Sequence, residues 1–305
     1  MVMSLRHGDT AITVRWDDRE LFRYVYLPSD PQLESPRPFF HPVRTLAGDP
    51  VTLYRPHDHV WHKGIALSLP NVGAENFWGG PTFRRGTYVQ LPNDGAMRHE
   101  SFDVAAEKDG VVRLGERLLW MTESGSVPIA EHRRIAARAW PASAAWVLAF
   151  ETTVTNVSGA EIAIGSPTTE GRPNAGYGGL FWRGPRSFTG GEVLTPDGTG
   201  GDELMGVRAP WLAFAGRHDG HGRGSTLVFR DRPGNVGYPS RWFVRSTPYA
   251  CLCPAPFFDT TYPFADGATL TLRYDIAVAD GLLDQAGCAI LAERAGAHDL
   301  LSPWG

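Results

Sequence analysis

Four side chains able to move a proton or hold a metal fall in one short segment, YRPHDHVWHKG: His57, Asp58, His59 and His62, in a chain with ten histidines altogether. Imidazole changes charge near neutral pH, so such a cluster suits acid/base catalysis, metal ligation or a set of structural hydrogen bonds. The backbone decides among them. On an extended strand His57, His59 and Trp61 share one face and Asp58, Val60 and His62 the other. A turn after Pro56, through Asp58-His59, would let His59 and His62 point into the same volume. Asp58 could then fix the tautomer of His59, with His59 or His62 as the catalytic proton shuttle. For a metal, an H-x-x-H outside a helix lacks the helical H-E-x-x-H geometry. A divalent ion on His59 and His62 would need a third ligand, with His41, His99 or Glu170 as candidates. His57 reads as an exposed neighbour.

A second constellation is Glu170 with Arg172 in SPTTEGRPN. A carboxylate and a guanidinium two apart on a loop can work as a base beside an electrophilic group, bind a pair of hydroxyls, or form an ordinary surface ion pair. Trp61, Trp78, Trp182 and Trp242 lie in loops or at strand ends, where indole rings could stack on the C–H faces of a sugar; core packing is the competing use. Asn235, Arg241 and Arg245 surround Trp242 and could fix hydroxyl or carboxylate groups, with surface solvation as the competing reading. The glycine-rich GYGGLFWRG has no phosphate-loop lysine and no strand-to-helix setting, so it reads as a loop and not a nucleotide cradle.

These residues must be positioned by strands. With 35 Gly and 24 Pro, the chain is punctuated every few residues, and short runs of alternating polarity lie between. TLTLRYDIAV places Leu270, Leu272, Tyr274, Ile276 and Val278 on one face, and AAWVLAFETTV does the same with Trp146, Leu148, Phe150, Thr152 and Val154. FDVAAEKDGVVRLGERLLW predicts a hairpin with Asp109-Gly110 at its tip. Weaker strand patterns cover 10–16, 21–27, 63–69, 129–139, 225–231 and 241–245. One helix is predicted, Leu282 to Arg294, with Leu283, Ala286, Ile290 and Leu291 at helical spacing. A dozen or more strands exceed one open sheet, so two large antiparallel sheets packed face to face are expected, in a single domain over 1–305. No repeat or linker divides the chain.

Composition excludes several partners. Lys+Arg number 29 against 33 Asp+Glu, a net charge of −4 with no basic stripe, which argues against nucleic acid. All basic residues but Lys63 and Lys108 are arginine, a bias that codon composition accounts for, although arginine is also the better fork for carboxylates and sugar-acid oxygens. No apolar run approaches the ~20 residues of a membrane span or forms a signal-peptide core, so a soluble, cytoplasmic protein is expected. Cys251, Cys253 and Cys288 read as buried free thiols.

FFHPVRTLAGDPVT, DHVWHKG, NVGAENFWGG, TTEG, RAPWLAFAG and NVGYPSRWFVR, in that order, resemble the bacterial PmoA-like family of soluble proteins of uncharacterised function, over about Phe39 to Gly281. The family label derives from a methane monooxygenase subunit in a membrane, and methane chemistry does not follow for this chain. The resemblance implies an all-β sandwich of the supersandwich type, similar to galactose mutarotase, and a small-molecule carbohydrate as ligand. The expected function is acid/base proton transfer on a sugar or keto-sugar, of epimerase, mutarotase or lyase type, in cytoplasmic sugar catabolism. His59, His62, Glu170 and Asp58 are its catalytic candidates. His41, Trp61, Trp78, Arg172, Asn235, Trp242 and Arg245 are its substrate-binding candidates, with Arg172 and Arg245 as electrostatic stabilisers. A non-catalytic sugar-binding or sensing protein and a metal-dependent enzyme using His59 and His62 stay open. No cofactor is required, a divalent metal is possible, and the oligomeric state is not legible.

Overall fold

The computed structural model describes residues 2–302. Two antiparallel sheets dominate. One has eleven strands and runs, in spatial order, through Met3–His7, Ala11–Trp16, Arg19–Val25, Phe39–Val43, Ile65–Val72, Gly179–Arg183, Cys251–Ala255 and Arg241–Arg245. Three short strands, Glu75–Phe77, Ile162–Gly165 and Tyr262–Phe264, extend it beside Ile65–Val72. The other has nine strands: Gly198–Gly200, Glu192–Thr195, Trp211–Arg217, Gly224–Asp231, Thr269–Asp280, Ala145–Asn156, Ile129–Trp140, Val111–Met121 and Ala96–Lys108. The fold class is therefore the expected all-β antiparallel sandwich with a short C-terminal helix. No helix among the described residues is long and apolar enough to cross a membrane.

Alternation along each strand decides what faces what. Trp146, Leu148, Phe150 and Val154, with Leu270, Leu272, Tyr274, Ile276 and Val278, enter one core cluster. Leu180, Trp182, Trp242, Val244 and Leu252 of the larger sheet enter the same cluster. Ring contacts cross between the sheets: Trp182 lies 5.2 Å from Phe214, and Phe22 stacks on Trp146 at 5.4 Å. The Asp109-Gly110 hairpin forms as expected, both residues with positive φ, joining Ala96–Lys108 to Val111–Met121.

The helix begins later than the pattern suggests, at Gln285, and runs to Ala297, because Asp284 caps it: its side chain accepts from the Gly287 amide at 2.8 Å. Its buried face is Cys288, Leu291, Ala292 and Ala295, and Ile290 is exposed, a rotation away from the face expected. That face covers the outer side of the nine-stranded sheet at Val147, Ala149, Val228, Ala277 and Ala279. This explains why TLTLRYDIAV loses its polar alternation after Asp275. All three cysteines are buried free thiols. A third apolar cluster, including Trp78, Phe181, Phe243, Cys251, Cys253 and Phe258, covers the outer side of the eleven-stranded sheet.

Candidate functional site

The histidine segment turns twice. The His59 amide donates to the Pro56 carbonyl at 3.0 Å and the His62 amide to the His59 carbonyl at 2.9 Å. The His59 and His62 rings are thereby stacked, centroids 4.6 Å apart and planes 11° from parallel. Asp58 sits behind them. Its Oδ2 accepts from His59 Nδ1 at 2.9 Å and from Arg183 Nη2 at 2.8 Å, while Oδ1 accepts from Arg186 Nη2 at 3.2 Å. Arg183 Nη1 donates to His62 Nδ1 at 2.9 Å.

These contacts assign tautomers. A guanidinium only donates, so His62 Nδ1 is the acceptor and the proton of the neutral ring lies on Nε2. His59 is the reverse: Nδ1–H donates to the Asp58 carboxylate, leaving the Nε2 lone pair free. Burial, with the neighbouring His59 ring and the charge of Arg183, holds His62 well below the usual histidine range and so neutral. Burial also lowers His59, against the opposing pull of Asp58. Burial opposes ionisation of Asp58, but its hydrogen bonds from His59 and Arg183 outweigh this and hold its carboxyl well below the usual range.

A buried ion network braces the turn from beneath. Arg37, 1% exposed, donates to the Trp61 carbonyl at 2.7 Å and to the Glu34 and Ser35 carbonyls. Lys63 pairs with Glu34 and, at 3.0 Å, with Asp30; Arg55 closes on Glu34 at 2.6 Å. On the cavity side Asn76 shapes the FWGG loop, its Oδ1 accepting from the Trp78 and Gly79 amides at 2.9 and 3.0 Å. Gly79 has φ +98°, and a Cβ there would stand 2.7 Å from the Glu34 backbone and 2.8 Å from Trp61 Cβ. Only glycine lets the loop lie this close to the turn.

The rings open into a cavity of about 490 Å³ on the outer face of the eleven-stranded sheet. Its floor comes from three neighbouring strands, which project Phe181, Phe243 and Cys251 outward while Trp182, Trp242 and Leu252 point into the core. Trp78 meets His62 edge-on at 5.7 Å and Phe181 at 4.8 Å. The two-stranded hairpin of Thr82–Arg84 and Thr87–Val89 supplies Tyr88, whose hydroxyl meets that of Tyr177 at 2.9 Å and accepts from Arg172. Tyr249 lies under Arg183, the guanidinium 3.9 Å from its ring centroid.

The structure thus brings together His59, His62, Trp61, Trp78, Arg172 and Arg245 at the cavity, with Asp58 behind. The other sequence candidates lie elsewhere. Trp242 is fully buried in the core, its Nε1 donating to the Ala209 carbonyl; three positions from Arg245 on one strand, it must face the opposite way. Trp182 is likewise a core residue, bonded to the Val51 carbonyl. Asn235 is buried between Asp231 and the Arg273 backbone, and Arg241 pairs with Asp259. His41 bonds Thr52 and stacks on Tyr54, away from the cavity lining. Glu170 is exposed outside the lining. His57 is exposed, as expected, beside Arg186.

Arg183, Phe181 and Phe243 escaped the sequence reading, as did Tyr88, Tyr177 and Tyr249. GYGGLFWRG is not all loop, since Gly179–Arg183 is a strand. That correction alone would have placed Phe181 and Arg183 on one face.

Among the described residues no group of three or more His, Cys, Asp or Glu side chains converges as a metal site. His99 pairs with Glu116 at 2.7 Å on the nine-stranded sheet, and neither His41 nor Glu170 approaches His59 and His62. The third ligand a divalent ion would need is not brought to this pair, and Asp58 is committed to two guanidiniums.

Comparison with known structures finds distant likenesses. The chain is similar to galactose 1-epimerase from Lactobacillus acidophilus NCFM, with 8% identity over 92% of this chain and 99% of that one and a TM-score of 0.41. It is similar to the GH36 alpha-galactosidase AgaB from Geobacillus stearothermophilus, with 9% identity over 94% of this chain and a TM-score of 0.41, and spans 42% of that protein. For heparan sulfate lyase HepC from Pedobacter heparinus the identity is 8% over 93% of this chain and 37% of that one, with a TM-score of 0.44. No curated protein matches by sequence. The family model described as a family of unknown function, DUF6807, matches residues 11–293, and the chain belongs to that family.

Proposed function

We propose that the cavity binds a small sugar or keto-sugar and transfers a proton at one of its carbons or its ring oxygen, as an epimerase, mutarotase or lyase would. The observation that carries this reading is the stacked histidine pair with opposite tautomers. His59 offers a lone pair at Nε2, oriented by Asp58, and His62 offers an Nε2–H, oriented by Arg183. A base and a proton donor side by side suit removal of a proton with stabilisation of the oxygen next to it. Walls of Trp, Tyr and Phe match the C–H faces of a pyranose, and the polar tips of the Trp and Tyr rings match its hydroxyls. The cytoplasmic, sugar-catabolic setting of this reading rests on the PmoA-like resemblance.

Proton NMR in D2O with aldoses, glycosides and keto-glycosides tests it. A carbon-bound proton is expected to exchange or be eliminated, or anomers to interconvert, and His59→Gln to slow this roughly 100-fold or more. Unchanged rates in the variant would remove His59 from the mechanism. A binding-only role is favoured by one observation, the lack of any carboxylate among the described lining residues, which leaves no carboxylic acid or carboxylate base facing the histidines. Ligand-induced line broadening without chemistry would establish that role.

A further inference from the structure

The cavity's charge is lopsided. Arg172 and Arg245 both line it, and none of the described lining residues is acidic, in a chain whose net charge is −4. Arg245 is half-buried against the Phe243 ring, and its side chain has no hydrogen bond or ion pair among the described residues. Its charge still reaches His59 and Tyr249. Arg172 has only a neutral partner, the Tyr88 hydroxyl, over whose ring it also lies. Asp58, the nearest carboxylate behind the histidines, is already answered by both Arg183 and Arg186. Asp58 is thus already neutralised, and Arg172 and Arg245 face the cavity with no carboxylate among its described lining residues.

A guanidinium with no carboxylate partner keeps its fork of donors available, and a planar anion seated against the aromatic walls can accept from it in bidentate fashion. We infer that the ligand carries a carboxylate, a sugar acid of the uronate or aldonate class, with Arg245 and Arg172 gripping the carboxylate and the histidine pair facing the adjoining carbon. The sugar half of this inference rests on the function proposed above, and the carboxylate half stands on the two arginines. A carboxylate also acidifies the C–H beside it, and guanidiniums pairing its oxygens would stabilise the charge that develops when His59 takes that proton.

Calorimetric titration of the full chain with glucuronate and galacturonate, against glucose, galactose and cyclohexanecarboxylate, separates the two halves. Uronates are expected to bind at least roughly tenfold tighter than the matched neutral sugars. That preference should collapse in Arg245→Gln and weaken in Arg172→Gln, and it should shrink at high salt. Because the Arg245 side chain makes no hydrogen bond or ion pair among the described residues, its replacement strands no polar protein group; Arg172→Gln is the independent second variant, and thermal melts confirm that both fold. Equal affinity for neutral sugars and uronates would overturn the carboxylate inference and leave the sugar reading standing. Cyclohexanecarboxylate binding as tightly as the uronates would support the carboxylate and remove the sugar. Failure of every probe to bind at about 10 mM, where even millimolar affinity is detectable, would overturn both.

Discussion

Arg183 donates to Asp58 and to His62 from a position 1% exposed, so a buried charge depends on a carboxylate that is itself one quarter exposed. Asp58→Asn strands that guanidinium. Breaking a fully buried pair costs about 3–5 kcal/mol, and the exposure of Asp58 reduces the expected loss to roughly 2 kcal/mol. Because the folded pKa of Asp58 is depressed, its contribution is present above the unfolded value near 4 and is lost as pH falls toward the folded value. Urea titrations should therefore show wild type and variant converging in acid; a constant gap between them would refute the coupling. Asp94 has the opposite sign. Burial raises it to about 7, with Glu123 adding to the rise and Gln90 opposing it. Between an unfolded value near 3.9 and about 7 the native state holds the extra proton, so stability falls as pH rises, by at most about 4 kcal/mol. Asp94→Asn should flatten the melting temperature between pH 5 and pH 8, and a slope equal to wild type would sink the assignment.

At the scale of the strand, the parity of Arg241–Arg245 separates stability from recognition. Trp242 is 0% exposed and faces the core between the sheets, whereas Phe243 faces the cavity. Trp242→Ala should cost about 3–5 kcal/mol in chemical denaturation. Phe243→Ala should cost less, because the space it leaves joins an open cavity, yet should weaken ligand binding. Equal destabilisation by the two would mean that the outer face is packed as the core is. The parity was not legible in advance for a physical reason. Gly179–Arg183 and Cys251–Ala255 are buried on both faces, so polarity does not alternate along them and cannot mark which side meets the other sheet. Where one face is wet, as in the first half of Thr269–Asp280, period two identified the core residues correctly.

Across the whole molecule, one apolar cluster draws on both large sheets, and rings such as Trp182 and Phe214 meet across it. We propose that the chain folds as one unit, since neither sheet keeps its inner face covered without the other. Calorimetry is then expected to give a single transition whose van't Hoff and calorimetric enthalpies agree; two resolved transitions would refute this. The cavity belongs to this scale as well. Its walls come from the turn at 57–62, the FWGG loop, the Tyr88 hairpin, the loop carrying Arg172 and Tyr177, the loop carrying Tyr249, and the outer faces of three strands.

Local periodicity and turn chemistry settled the β class, the Asp109-Gly110 hairpin and the presence of a C-terminal helix, because each depends on residues close in sequence, and the number of strands they predict called for two packed sheets. The grouping of His59 with His62 was legible for the same reason, since Pro56 and the residues after it favour a turn and one turn brings three-apart rings together. The tertiary structure decided what no local pattern encodes. It placed Arg183 beneath the histidines from 121 residues away and turned Trp242 into the core. It left Glu170 in solvent and put Arg245 and Arg172 together at one cavity without a carboxylate between them. Long-range pairing of strands sets those distances, and chain separation carries no record of them.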